Sequence, residues 1–265
     1  MSHARILAVG LTIAVIVAPF MPPAAIHAQA PPAAGYVAVG DSIEVGLGDD
    51  DLLDGIGYVS PFGAFLATAL GQAVQVHNFS VPGSDTRDIQ LTQLSVAAAA
   101  AQSHQPIVVS WGGGGIDIGL IGLNTQDSAC KHLQSCLGRF NGGLNEAEAA
   151  IDKTIATLRQ AVGPGGRIFM RTQYNSIAKS GCAPTAEAVA LGNAVLEGAP
   201  GTVLDEGLND RIRAIAEKYN AQVVDLFIPF ALNPNAFVAA DCIHPNGAGY
   251  DVILALFQAA FVSQP

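Results

Sequence analysis

Ser42 closes the run Val37-Ala38-Val39-Gly40-Asp41, and Asp241-Cys242-Ile243-His244-Pro245-Asn246 stands near the other end of the chain. A serine hydroxyl is a poor nucleophile until a base takes its proton. A histidine can be that base. An aspartate three residues before it, in a turn, can hold Nδ1–H and leave Nε2 facing the serine. Acyl transfer through a serine is the chemistry these three residue types could perform together. Each has a plainer alternative: a serine after a strand is a common helix cap, Asp241 could cap the last helix, and His244 could be a surface residue. The weight lies in the pair of motifs at opposite ends of the chain.

Positioning such a set requires a sheet. Residues 36–40, 74–80, 106–111, 167–171 and 222–227 read as five strands, the first delivering Ser42 to the carboxyl edge where parallel sheets gather reactive groups. Helical spacing covers 58–70, with Phe62, Phe65, Leu66 and Leu70 before Gly71. It recurs from a Ser84 or Asp85 cap to 101, then over 144–162, 185–196, 203–219 and 247–262. The spans 120–142, 172–183 and 230–240 read as loops. Strands alternating with helices imply a parallel sheet covered on both faces, an α/β fold.

The start of the chain reads differently. Arg5 precedes an apolar run over 6–18, then prolines, and Ala28-Gln29-Ala30 fits a small-x-small cleavage site, so 1–30 is expected to be a secretory signal peptide. The run is short for a membrane span. Cleavage leaves 31–265, one domain of 235 residues with net charge −11 against −10 for the whole chain. With 13% charged residues and no basic cluster, no nucleic-acid partner is expected. No second long apolar segment follows, so no membrane span is expected after cleavage.

Four cysteines in an exported chain suggest disulfides. Cys130–Cys136 would close a short loop and Cys182–Cys242 a long one, worth about 2 and 4 kcal/mol by chain entropy. The second would pin the turn between Asp241 and His244. No Cys-x-x-Cys pair suggests a metal. Asp49, Asp50, Asp51 and Asp54 lack EF-hand spacing and read as a solvated acidic loop.

Gly40-Asp41-Ser42 at one end, and Asp241-x-x-His244-Pro245 with Asn246-Gly247 and Gly249-Tyr250 at the other, resemble the SGNH hydrolases, also called GDSL esterases/lipases. The resemblance covers essentially all of 31–265. It implies a three-layer α/β/α sandwich with a flavodoxin-like five-stranded parallel sheet in the order 2-1-3-4-5. It implies Ser42 as nucleophile, His244 as base and Asp241 as its orienter, with Asp41 structural. It further implies the amides of Ser42 and Gly83 as oxyanion donors and Asn78 and Ser80 as loop supports. The substrate would be a small-molecule, lipid or carbohydrate acyl ester. No cofactor or metal is called for, and the location is secreted or periplasmic.

The fit breaks after the third strand. The family has Gly-x-Asn-Asp there, and the asparagine amide is the third oxyanion donor. Here the run is Gly112-Gly113-Gly114-Gly115-Ile116-Asp117, which puts Ile116 in the asparagine's place. Losing one such donor costs about 10²–10³ in rate. An amide of Gly114 or Gly115, or a side chain such as Asn124, could fill the hole. The alternative is a weak or inactive protein that binds an acyl or glycan ligand. The glycine run lacks the Gly-Lys-Ser/Thr ending of a phosphate loop and opens no evident helix. Trp111 reads equally as core or pocket wall, and His77, His104 and His132 match no motif.

Overall fold

Ala34–Val39 forms the first strand, β1, with all six residues buried. The computed structural model describes residues 33–48, 57–124, 133–183 and 185–263; the side chains of 120–124 and 133–135 are outside that description. The expected leader, the acidic stretch 49–54, Cys130, His132 and the side chain of Asn124 therefore lie outside the described residues. After β1 come α1 (Ser42–Val45), α2 (Val59–Leu70), β2 (Val74–Asn78) and α3 (Thr86–Asp88). A π-helical turn, Ile89–Gln93, leads into α4 (Leu94–Gln102), then β3 (Ile107–Trp111), α5 (Gly115–Asn124) and α6 (Leu133–Val162). The second half holds β4 (Arg167–Arg171), α7 (Ala186–Glu197), α8 (Leu208–Lys218), β5 (Gln222–Val224), α9 (Phe227–Leu232), α10 (Pro234–Phe237) and α11 (Gly247–Val262).

The strands run in the order β2-β1-β3-β4-β5, every pair parallel. Successive side chains on a strand point to opposite faces, and the core divides accordingly. Val37, Val39, Val109 and Met170 pack under α4, α6 and α8. Tyr36, Ala38, Val108 and Phe169 pack under α2 and α11. The result is a three-layer α/β/α sandwich, as the alternation of elements predicts. Trp111 is fully buried in the first of these layers and belongs to the core.

Three local signals place helix ends as expected. Asn246 caps α11 by accepting from Gly249 N at 2.9 Å. Thr185 Oγ1 accepts from Ala188 N at the start of α7. Asp85, rather than Ser84, caps α3, accepting from Asp88 N at 2.7 Å. Short helices α9 and α10 replace the loop expected over 230–240, and β5 stops at Val224.

Within the expected loop 120–142, residues 120–124 and 133–142 are helical, and the glycine run does open a helix, α5. Helix α6 begins at Leu133, eleven residues before the expected start. Gly138, Gly142 and Gly143 argue for a loop, each costing about 1 kcal/mol against alanine in a helix. Tertiary packing overrides them: Leu137, Phe140 and Leu144 continue the three-and-four spacing of Ile151, Ile155 and Leu158 into one buried stripe. Leu144→Ala should therefore cost about 2–5 kcal/mol in urea denaturation; a loss below about 0.5 kcal/mol would place Leu144 in a surface loop.

Candidate active site

Asp41 and Ser42 sit where β1 ends and the one-turn helix α1 begins. Asp41 caps α1 with Oδ1 accepting from Ile43 N at 2.9 Å, and Glu44 Oε2 accepts from Asp41 N at 3.0 Å. The reciprocal pair holds Ser42 in the first helical position. Below this turn lies Arg171, the last residue of β4, with no exposed surface. Its Nη2 donates to Asp41 Oδ1 and Glu44 Oε2, both at 3.0 Å, and its Nε to Glu44 Oε1. Tyr58 OH donates to the same carboxylate. Burial, opposed by Arg171 and reinforced by Glu44, pushes Asp41 up to about 6. Burial works against the Arg171 charge, but Glu44 and Asp41 outweigh it and hold the guanidinium protonated. Asp41 is thus a structural member of a buried ion cluster, as expected.

The π-helical turn contributes a residue that sequence reasoning missed. It turns Gln93 inward, where Oε1 accepts from Gly40 N at 2.9 Å and Nε2 donates to Gly40 O at 2.8 Å. A π-bulge is a frequent mark of a functional region, but its position is not readable from the residue pattern. Asn78 Nδ2 donates to Glu44 O at 2.8 Å and supports the same turn from β2.

The other end of the chain meets this turn. Ser42 Oγ and His244 Nε2 are 2.8 Å apart, and His244 Nδ1 is 2.5 Å from Asp241 Oδ2. Asp241 Oδ1 also accepts from the amides of Ile243 and His244, at 2.9 and 3.0 Å. Burial opposes ionisation of Asp241, but those amides and the His244 ring outweigh it and hold its pKa below the ordinary aspartate value. Serine, histidine and aspartate therefore form one hydrogen-bonded relay with Nε2 aimed at the hydroxyl.

Three tethers hold the Asp241–His244 turn. Cys182 and Cys242 form the long disulfide. Lys179 Nζ donates to Val238 O and Ala239 O at 2.6 and 2.8 Å, and Tyr174 OH to Ile243 O at 2.8 Å. Cys242 takes a left-handed backbone, φ 64°, which costs a non-glycine residue on the order of 1 kcal/mol; the tethers maintain it. No cysteine among the described residues is free.

A cleft of about 400 Å³ opens beside the relay. Ser42 and His244 line it together with Gly115, Gln173 and a mainly apolar wall that includes Ile116, Ile177 and Leu196. Ile116, in the position expected for an asparagine, presents hydrocarbon here. Gly83 is exposed, with φ 79°, in the loop that follows β2, and is outside the residues that line the cleft. Val81 N bonds to Gly40 O at 3.2 Å, so this loop runs beside the Ser42 turn. Asp117 lies elsewhere: it accepts from Thr86 N and Oγ1 and anchors α3, with burial raising its pKa. His77 and His104 share a hydrogen bond between their Nε2 atoms at 3.0 Å, apart from the cleft. Among the described residues no group of three or more His, Cys, Asp or Glu is placed to hold a metal ion, and no helix is long and apolar enough to cross a membrane.

A family model described as GDSL-like lipase/acylhydrolase matches residues 38–252. Comparison with curated proteins finds no match. Among solved structures, a lipase from a goat rumen metagenome aligns with TM-score 0.67 and 19% identity over 85% of this chain and 96% of that one. An extracellular lipase from Streptomyces rimosus aligns with TM-score 0.60 and 17% identity over 86% and 100%. Phospholipase A1 from Streptomyces albidoflavus NA297 gives 0.59 and 20% over 86% and 99%.

The buried cluster yields a stability test. Arg171→Met would strand Asp41 and Glu44 without their counter-charge, at a cost of about 3–5 kcal/mol. Glu44→Gln in that background should return part of the loss in urea denaturation; a first loss under about 1 kcal/mol would contradict the cluster's role.

Proposed function

Since the chain belongs to the GDSL-like lipase/acylhydrolase family, a family of lipase- and esterase-type hydrolases, we propose that it is an exported serine esterase that cleaves acyl esters through Ser42, His244 and Asp241. The observation that carries this reading is the unbroken relay from Asp241 through His244 to Ser42, at 2.5 and 2.8 Å, opening into an apolar cleft. Export is supported by the leader-like first 30 residues and by the Cys182–Cys242 disulfide.

His244 Nε2 takes the proton from Ser42 Oγ as Oγ attacks the ester carbonyl carbon. The carbonyl oxygen becomes an oxyanion, held by the amides of Ser42 and Gly83. His244 then passes its proton to the leaving alkoxide, the ester bond breaks, and the acyl group stays on Ser42. Water, giving a proton to His244, attacks the acyl-enzyme; the acid leaves and Ser42 regains its proton. Asp241 remains ionised throughout, consistent with its depressed pKa, and balances the imidazolium. The apolar wall suits a short- to medium-chain acyl group.

Ile116 favours a second reading, a weak or non-catalytic protein that binds an acyl or glycan ligand in the same cleft. An active-site phosphonate separates the two, since only an activated Ser42 takes it up. Hydrolysis of a chromogenic short-chain ester should fall by about 10³-fold or more in Ser42→Ala; turnover unchanged in that variant would end the proposal. Because the Cys182–Cys242 bond tethers the histidine turn, mild reductant should lower ester hydrolysis while the unfolding midpoint still exceeds the assay temperature. Loss of activity only in step with loss of near-UV dichroism would assign the disulfide to global stability alone.

A further inference from the structure

The cleft beside Ile116 is also lined by residues that follow the neighbouring strand, β4. Two carboxamides line the cleft, Gln173 and Asn175. Asn175 is spent: its Nδ2 donates to Val189 O at 3.0 Å and to Asn193 Oδ1 at 2.7 Å. Tyr174 has given its one hydroxyl proton to Ile243 O. Gln173 is different. Its Nε2 donates one N–H to Gly113 O at 2.6 Å. Among the described residues no hydrogen bond engages the second N–H or Oε1, although Gln173 is only 4% exposed.

Strand register puts this amide at the required edge. Trp111 on β3 pairs with Val39 on β1 and with Met170 on β4. The chain leaving β3 through Gly112 therefore passes beside Gly40, and the Gln173 side chain, two residues past the end of β4, reaches sideways onto Gly113 O. Its Oε1 and Nε2 lie 3.4 and 3.6 Å from where a Cβ on Gly115 would stand, beside the residue that precedes Ile116. The main chain that carries the group is held on both sides, and the Gly113 bond fixes the carboxamide itself. Asn209, fully buried, accepts from Gln173 N at 2.7 Å and donates to Gln173 O at 2.9 Å. Fixed donors aimed at developing charge are what oxyanion stabilisation requires.

Resting on the serine-esterase reading above, we propose that the free N–H of Gln173 is the third oxyanion donor, supplied from β4 in place of the amide that Ile116 lacks. Gln173 is then a catalytic residue that touches the reacting oxygen, while its Gly113 bond sets its direction. The donor stabilises charge that exists only after attack, so its removal lowers kcat and leaves KM nearly unchanged.

The test uses the full chain and a chromogenic short-chain ester. Gln173→Met keeps the length of the side chain without the N–H. It should lower kcat by about 10²–10³-fold with KM within about threefold. Adding Ile116→Asn to Gln173→Met should restore at least about tenfold, and restore far more there than Ile116→Asn adds to the wild type, the non-additivity of two groups competing for one role. A kcat within threefold of wild type in Gln173→Met, or a change confined to KM, overturns the assignment. So does a large gain from Ile116→Asn alone, which is read without altering Gln173 and shows a vacant donor position. Ser42→Ala is assayed alongside: loss of turnover there with no effect at Gln173 sinks only this inference, whereas turnover surviving Ser42→Ala sinks the esterase reading with it.

Discussion

A guanidinium with no exposed surface, Arg171, sets the geometry on which the rest depends. Removing such a charge from water costs several kcal/mol unless its donors are met. Asp41 and Glu44 meet those on Nε and Nη2, while Nη1 has no partner among the described residues, and both carboxylates belong to the turn that carries Ser42. The pairing therefore spans the sheet, from β4 across β3 to the end of β1. It also explains two glycines. A side chain on Gly40 or Gly112 would run into the Glu44 carboxylate, and at Gly112 into Arg171 as well. The glycine before Asp41-Ser42 is thus demanded by the ion cluster beneath, independently of any need for a flexible turn.

The same short stretch of chain governs the other half of the site. From Arg171 to Cys182, successive residues hold the Ser42 turn (Arg171), face the cleft (Gln173), grip Ile243 O (Tyr174), grip Val238 O and Ala239 O (Lys179) and close the disulfide to Cys242 (Cys182). Ser42 and His244 are 202 positions apart in sequence. Closing so long a loop costs entropy that a single hydrogen bond cannot offset. The segment after β4 lies between them in sequence and binds to both, so each end is anchored to a common support. Tyr250 adds a direct strut, donating to Leu47 O at 2.7 Å. Gly48 lets its backbone press against His244, where a side chain would clash.

Legibility in the sequence followed the range of the interactions. Ser42, Asp241 and His244 could be paired because each belongs to a short motif whose own spacing states a geometry. Helix α11 was readable to the residue, since Asn246 and the apolar spacing after it are local signals. The parallel sheet followed from alternation of elements, and its order from the family resemblance. Helix α6 was cut short because glycine propensity is local, whereas the packing of Leu137 and Phe140 is not. Arg171 with Glu44, Gln93 with Gly40 and Gln173 with Gly113 are separated by 127, 53 and 60 positions. Nothing in the residue pattern near any of them marks a partner. Ile116 was the exception in the other direction: a departure visible in sequence whose consequence is visible only in space.

If Gln173 is the third donor, that departure follows from how a parallel sheet presents its edge. An oxyanion contact is a point that a donor must reach, and adjacent strands end about 4.8 Å apart, less than the length of a glutamine side chain. A carboxamide leaving the end of β3 and one leaving the end of β4 can therefore serve the same point, provided the second is locked in direction. For Gln173, Asn209 holds the main chain and Gly113 O accepts from the carboxamide. Once the polar duty sits on β4, the first turn of α5 is released from it, and Ile116 can join Ile177 and Leu196 in the hydrocarbon wall. In the proposed arrangement the exchange of a polar for an apolar residue enlarges the surface that receives an acyl chain, while the number of donors around the oxyanion stays at three.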